Sequence, residues 1–327
     1  MNHDTGNLSG FSILNDLWRD TVRTSGQLFK ITVPAVIVTK LLEEFGMIGY
    51  LSQLVEPIMA LMGLPGALGI VWATALITSP YSAIAVFASL APTLLLSGAQ
   101  VTILCSAMLI AHSLPVELSI AKKAGAGIVP MAALRLLSAL CYGIILNLIC
   151  RLTGFWQEPV QMFFSGSPGE QDLSQWAISQ IFNLGLIFFV IFCILTAMHL
   201  LRIIGFLRLL EVMLRPVLPL FGMTDRAAPV TVVGMILGLG YGGALIIRET
   251  TTGSMSRREI FNSLALMGLS HGLIEDTLVM MAIGGKLGGV LFGRVLFSLV
   301  VIFLLDRLLR SLGGTENTGA TIDGKTR

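Results

Sequence analysis

Charged residues are scarce in this sequence. Only 12% of its 327 residues are Asp, Glu, Lys or Arg, whereas 54% are hydrophobic, and the mean hydropathy is +0.84. Soluble domains carry about 25% charged and about 45–50% apolar residues, so an ordinary soluble domain is excluded. Disorder is excluded as well, because it requires low hydrophobicity and high charge. The composition predicts a protein embedded in a lipid bilayer.

Paired cysteines and the HExxH signature of metalloproteases are also missing. The four cysteines lie singly in apolar segments and form no CxxC pair, so we interpret them as small hydrophobic residues. No HExxH motif occurs. We therefore expect neither enzymatic activity nor a cofactor. The net charge of +2 is too small to indicate nucleic-acid binding.

What the sequence does contain is an internal duplication. Several uncommon residues recur at one ungapped offset of 159 positions. The pairs include Pro57 and Pro216, His112 and His271, Arg135 and Arg294, and Arg151 and Arg310. This offset predicts a first repeat at residues 16–153 and a second at residues 175–312. A linker at 154–174 joins them, and polar tails lie at 1–15 and 313–327.

Each repeat divides into five segments, named a to e in chain order. Segments a, d and e reach the length of about 20 apolar residues that a membrane span requires. Segment b is short and amphipathic, which is typical of a helix lying in the membrane interface. Segment c is interrupted by TSPYS (Thr78–Ser82) in repeat 1 and by GLGYGG (Gly238–Gly243) in repeat 2. We expect a re-entrant hairpin or a broken helix there, and an all-α membrane fold overall.

The distribution of positive charge predicts the orientation in the membrane. Lys and Arg favour cytoplasmic loops, and Arg19, Arg23, Lys122 and Lys123 then place the N-terminus and the first d–e turn in the cytoplasm. The b and c region of repeat 2 is rich in arginine, with Arg202, Arg208, Arg215, Arg226, Arg248, Arg257 and Arg258. Three spans per repeat would invert the second repeat relative to the first. We expect the bacterial cytoplasmic membrane, cytoplasmic termini and an external linker; the alternative is that b and c also span.

Ionisable residues inside segment d indicate a functional centre. A charge at the bilayer centre costs about 2.5–3.5 kcal/mol on insertion scales, so such residues usually face a partner or a cavity. His271 and Glu275 are four residues apart, which predicts one helix face, and Asp276 follows directly. In repeat 1, His112 is accompanied by Glu117, the counterpart of Asp276.

Two interpretations of these residues stay open. They form either a structural lock between the repeats or a binding site for a cationic or hydrogen-bonding solute. A divalent metal is a weaker alternative, because no thiolate ligand is present, and we predict no metal site. The breaks of segment c add weaker candidates. The candidate solute-binding residues are His112, Glu117, His271, Glu275, Asp276, Ser79, Tyr81, Gly240 and Tyr241.

The paired breaks TSPYS and GLGYGG, followed by the polar-centred SHGLIEDT, resemble the Gate, or nucleoside-recognition, family of bacterial inner-membrane proteins. Related domains occur in concentrative nucleoside transporters, in the membrane part of the ferrous-iron transporter and in spore-maturation proteins. The resemblance covers most of residues 20–312 and implies a permease-like fold with in-plane helices and re-entrant hairpins. The iron transporters place cysteines at their gate, but neither break contains one here, which argues against ferrous iron.

These observations predict a secondary transporter of a small polar or cationic solute, coupled to protons or to another ion. Its site would lie where two inverted repeats meet. The alternative is a scaffold or assembly protein of the spore-maturation type. As partners we expect the lipid bilayer, the solute and a coupling ion; a homo-oligomer is left open, and nucleic acid is not expected.

Overall fold

The computed structural model describes residues 10–160, 173–224, 227–251 and 255–313. Within these ranges the chain is helical, with no β-strand. Most of the predicted linker, the greater part of both tails and Arg226 lie outside the described residues. The helices are α1 Gly10–Glu44, α2 Met47–Leu61, α3 Leu68–Ile77, α4 Pro80–Leu90, α5 Gly98–Ile110, α6 Leu114–Lys123, α7 Ile128–Thr153, α8 Leu173–Ile203, α9 Phe206–Leu214, α10 Ala227–Leu237, α11 Leu239–Thr251, α12 Arg257–Ser270, α13 Glu275–Ala282 and α14 Arg294–Gly313.

Six stretches of the described chain are long and apolar enough to cross a membrane. They are Leu17–Glu44, Gly98–Lys123, Ile128–Thr153, Ser174–Ile203, Arg257–Ala282 and Gly288–Leu308. These six stretches correspond to segments a, d and e of the two repeats. The prediction of three membrane-capable segments in each half is therefore confirmed by length and composition. A π-helical turn, Gly288–Gly293, leads into α14.

Segment b forms the short helices α2 and α9, each of which begins after a sharp turn. Gly46 and Gly205 stand at these turns with φ angles of 65° and 77°. Only glycine adopts this left-handed conformation without a steric cost, so it ends the long helix and redirects the chain. No residue of α9 is buried. Its exposed face is consistent with the predicted position in the membrane interface.

Segment c is broken in both halves, as predicted. In the first half the helix lapses at Thr78 and Ser79, and Ser79 caps α4 by accepting a hydrogen bond from the Ser82 amide at 3.3 Å. In the second half it lapses at Gly238, whose φ angle is 99°. The Ser113 hydroxyl donates to the Thr78 carbonyl at 2.7 Å. The first lapse therefore contacts the loop that carries His112.

Segment d is also broken, and this corrects one prediction. His271 follows the end of α12, and Glu275 is the first residue of α13, so the two side chains do not share one helix face. Gly272, with a φ angle of 59°, lies in the interruption. In the first half, His112 occupies the interruption between α5 and α6. Each histidine thus stands just after the first helix of a broken segment.

The boundaries of the helices repeat along the chain. The first residues of α9, α10, α11 and α12 lie 159 positions after those of α2, α3, α4 and α5. The end of α8, Ile203, lies 159 positions after Glu44, the end of α1. The offset found among uncommon residues is therefore also the offset of the secondary structure.

Candidate functional site

The two histidines of the broken spans meet at the centre of the protein. The Nε2 atoms of His112 and His271 lie 3.0 Å apart, and both side chains are buried. Each Nδ1 atom is 2.8 Å from the backbone carbonyl four residues earlier, that of Met108 or Met267. A carbonyl oxygen only accepts hydrogen bonds, so each Nδ1 carries the proton. Both Nε2 atoms therefore point at each other in the same tautomeric state.

Glu117 completes a triangle with the two histidines. Its Oε1 atom lies 3.3 Å from Nε2 of His112 and 3.4 Å from Nε2 of His271. Its Oε2 atom accepts a hydrogen bond from Nη1 of Arg135 at 2.5 Å. Arg135 also donates from Nε to the Ile110 carbonyl at 3.0 Å. The buried arginine thus fixes the carboxylate, and the carboxylate directs one oxygen at the histidines.

The second half supplies an arginine and a carboxylate at the equivalent positions. Arg294 is fully buried and donates from Nη1 to the His271 carbonyl at 3.3 Å. Asp276 lies close enough to His271 and Arg294 to interact electrostatically with both. We refer to these side chains together as the central polar cluster. Its members are His112, Glu117, Arg135, His271, Asp276 and Arg294.

The central polar cluster is not fully satisfied by the protein. Among the described residues, Nη2 of Arg135 and both Nε and Nη2 of Arg294 are buried without a hydrogen-bond partner. Buried polar groups are normally paired, because an unpaired one costs about 1–3 kcal/mol. Donor capacity therefore remains at the centre of the protein for a ligand or for a rearranged state.

One contact of the predicted site joins the two halves beside the cluster. The hydroxyl of Tyr81 on α4 donates to Oε1 of Glu275 on α13 at 3.1 Å. In the other direction α11 packs against α6, and a Cβ atom added at Gly243 would touch Ile120. The second helix of each broken segment c thus contacts the second helix of segment d in the opposite half.

The remaining predicted residues do not join this centre. Ser79 acts as the cap of α4 and lies 3.1 Å from the Ser82 hydroxyl. Gly240 is exposed, and Tyr241 is 70% exposed. By the offset the counterpart of Tyr81 is Gly240, and both Gly240 and Tyr241 are exposed, so the start of α11 does not reproduce the contact that Tyr81 makes on α4.

The centre is tightly packed beside Glu117 and Arg135, where the cavity has a volume of about 10 Å³. A volume of about 10–15 Å³ is needed for one water molecule, so this cavity is too small for a solute. A larger cavity of about 370 Å³, lined in part by Gln100, Asn147 and Arg151, opens at the linker side.

Sequence reasoning found the buried ionisable residues but not how they combine. Arg135 and Arg294 stood out in the sequence through the repeat offset, and the structure shows that Arg135 is the partner of Glu117. Tyr142 was missed: its buried hydroxyl donates to the Gly289 carbonyl in the π-helical turn at 2.6 Å. A tyrosine within an apolar span was the available signal.

These features define a helical membrane protein with a buried polar centre built from two similar halves. Residues 26–127 match the family described as Gate, nucleoside recognition. This match confirms the resemblance to the Gate family for that part of the chain. The chain is also similar to the uncharacterized membrane protein YvoD of Bacillus subtilis (strain 168), with 26% identity over 278 residues, 84% of this chain and 87% of the relative. No solved structure matches.

Proposed function

We propose that this protein is a secondary transporter that moves a small polar or cationic solute across the cytoplasmic membrane. The observation that carries the proposal is the contact between His112 and His271 within the central polar cluster. Ionisable residues are costly in a bilayer and are retained mainly along solute and ion pathways. Here they come from equivalent positions of both halves, near the middle of the spans Gly98–Lys123 and Arg257–Ala282.

Two inverted repeats are the architecture that this proposal requires. Equivalent residues contact each other only near a pseudo-two-fold axis, and the histidines are 159 positions apart. An odd number of spans per half reverses the second half, so this axis lies in the membrane plane. Transporters of this kind bind the solute between the repeats and expose it by moving one repeat against the other.

The tightly packed centre is consistent with an occluded state in this mechanism. The unpaired donors of Arg135 and Arg294 and the carboxylates of Glu275 and Asp276 provide groups that can exchange partners when the halves move. A polar or cationic solute would bind to the carboxylates and imidazoles. Coupling to a proton or to another ion belongs to the same proposal, and a comparison of uptake with and without an imposed pH gradient tests it.

A membrane scaffold is the second candidate, and the tightness of the centre favours it. The small cavity and the buried Arg135–Glu117 pair would suit a lock that holds the two halves together. In that case the polar residues would serve stability alone, and no solute would bind.

Uptake into proteoliposomes distinguishes the two functions. Labelled nucleosides, amines, amino acids and divalent metals are offered to the wild type and to the double variant Glu275→Gln, Asp276→Asn. For a transporter we expect the variant to lose uptake while its melting temperature changes little. For a scaffold we expect a lower melting temperature and no uptake by either protein. Normal uptake by the folded variant would contradict a role of these carboxylates in transport.

His199→Gln is the matched control for substitutions at the centre. His199 is a histidine on the membrane-capable helix α8 and does not belong to the central polar cluster. We expect this variant to transport like the wild type, so that a loss of uptake in the central variants reports on the site.

A further inference from the structure

We propose that His112, His271 and Glu117 form a binding site for one divalent first-row transition metal ion, of which Zn²⁺ is the test case. This inference names the class of solute that the proposed transporter would move. Only the transport of the ion, and not its binding, rests on the proposed function. Binding of the ion is measured separately, so the two proposals can fail independently.

The first argument is that two neutral imidazoles and an ionised carboxylate have no hydrogen atom to share at this point. Both Nδ1 atoms are committed as donors to the carbonyls of Met108 and Met267. In the neutral rings, both Nε2 atoms therefore present lone pairs, and an ionised Glu117 has only acceptors. Three acceptors converge at distances of 3.0, 3.3 and 3.4 Å with no donor among them. Such a group is repulsive until a cation occupies its centre.

The second argument is the spacing of the three atoms. Zinc binds nitrogen at about 2.0–2.1 Å and carboxylate oxygen at about 2.0–2.2 Å, so a tetrahedral ion separates its ligand atoms by about 3.3 Å. All three ligand atoms lie within 4.8 Å of one another. Their individual separations agree with the tetrahedral value. One proton lies between two atoms at a time, whereas an ion contacts all three at once.

The third argument is the way the surrounding groups orient the ligands. Metal-binding histidines donate their second N–H group to a carbonyl or carboxylate, and ligand carboxylates are themselves hydrogen-bonded. Both histidines donate to backbone carbonyls, and Oε2 of Glu117 is held by Arg135. Three protein ligands leave one coordination position for water or another ligand, in contrast to the four protein ligands of structural zinc sites.

The ligand set also predicts which ions are excluded. Two imidazoles and one carboxylate suit zinc and its neighbours in the first transition row. Mg²⁺ and Ca²⁺ prefer oxygen ligands in larger number, so neither should compete effectively. Mg²⁺ therefore serves as the negative control ion.

The test begins with full-length protein in detergent, purified through a tag without histidine and freed of metal with a chelator. Equilibrium dialysis against Zn²⁺ at neutral pH is expected to give one bound ion per chain. We expect Glu117→Gln and His271→Gln to weaken binding by more than tenfold, and His199→Gln to leave it unchanged. Equal binding by the wild type and by the His112→Gln, His271→Gln double variant would overturn the proposal.

A second measurement uses the wild type alone, in case the central variants fail to fold. Co²⁺ bound by two imidazoles and a carboxylate has a visible d–d spectrum, which Zn²⁺ should abolish by displacement and Mg²⁺ should not. If the wild type binds neither Co²⁺ nor Zn²⁺, the metal site is wrong and a proton bridges the two histidines instead. If Zn²⁺ binds but does not enter proteoliposomes, the site stands and its assignment as the transported solute is wrong.

Discussion

At the scale of single residues, the stability of the fold depends on the buried ion pair between Arg135 and Glu117. Removal of one member of a buried pair leaves the other charge without compensation, which typically costs about 3–5 kcal/mol. Arg135 is 1% exposed, and its partner is also buried. Replacement of both members by neutral groups of similar shape avoids the uncompensated charge.

We therefore expect Arg135→Met to lower the free energy of unfolding by about 3–5 kcal/mol, and the double variant Arg135→Met, Glu117→Gln to lower it by less. Thermal unfolding in one detergent measures both, with Glu117→Gln completing the cycle. If the effects of the two single variants simply add, the pair does not act as a unit.

Much of the central polar cluster was predictable at this scale, because ionisable residues stand out in apolar spans. His112, Glu117 and His271 were identified from that contrast, and the structure brings them together. The direction of each imidazole could not be predicted, since it depends on how the chain leaves α5 or α12 and so brings Nδ1 to the carbonyl four residues earlier.

At the scale of elements, different residues interrupt the helix of segment c in the two halves. Ser79 and Pro80 begin α4 with a side-chain cap and a fixed proline φ angle, whereas Gly238 uses a φ angle of 99°. The breaks were predictable because proline and glycine punctuate helices. The break at His271 was not recognised, because a single glycine in SHG is a weak signal beside an apolar run.

Substitution of the two neighbouring glycines tests the second break. Gly238→Ala forces a side chain into a positive φ angle and should lower stability by about 1–3 kcal/mol. Gly240 is helical and has no atom within 4 Å of an added Cβ, so Gly240→Ala should be neutral or slightly stabilising. The melting temperatures of the two variants give the comparison. Equal values would show that the conformation at Gly238 is not required.

At the scale of the whole molecule, the orientation in the membrane is the decisive expectation. We predict cytoplasmic termini and an external linker, which places Gly169 and Arg257 on opposite sides. Single cysteines at these positions, in a variant without the four native cysteines, are treated with an impermeant thiol reagent on intact cells. We expect Gly169→Cys to react and Arg257→Cys to react only after permeabilisation. Labelling of both from the same side would contradict the inverted arrangement.

The position of the two histidines near the middle of their spans has an electrical consequence. A cation at that depth has half of the membrane voltage on either side of it. Each charge that crosses the whole membrane gains or loses about 2.3 kcal/mol per 100 mV, so a divalent ion released inward from the centre gains about the same amount. We expect Zn²⁺ entry to accelerate when a potassium diffusion potential makes the interior of the proteoliposomes negative, and to slow when the potential is reversed. If no charge moves in exchange, the resting membrane potential itself would drive the uptake of the ion.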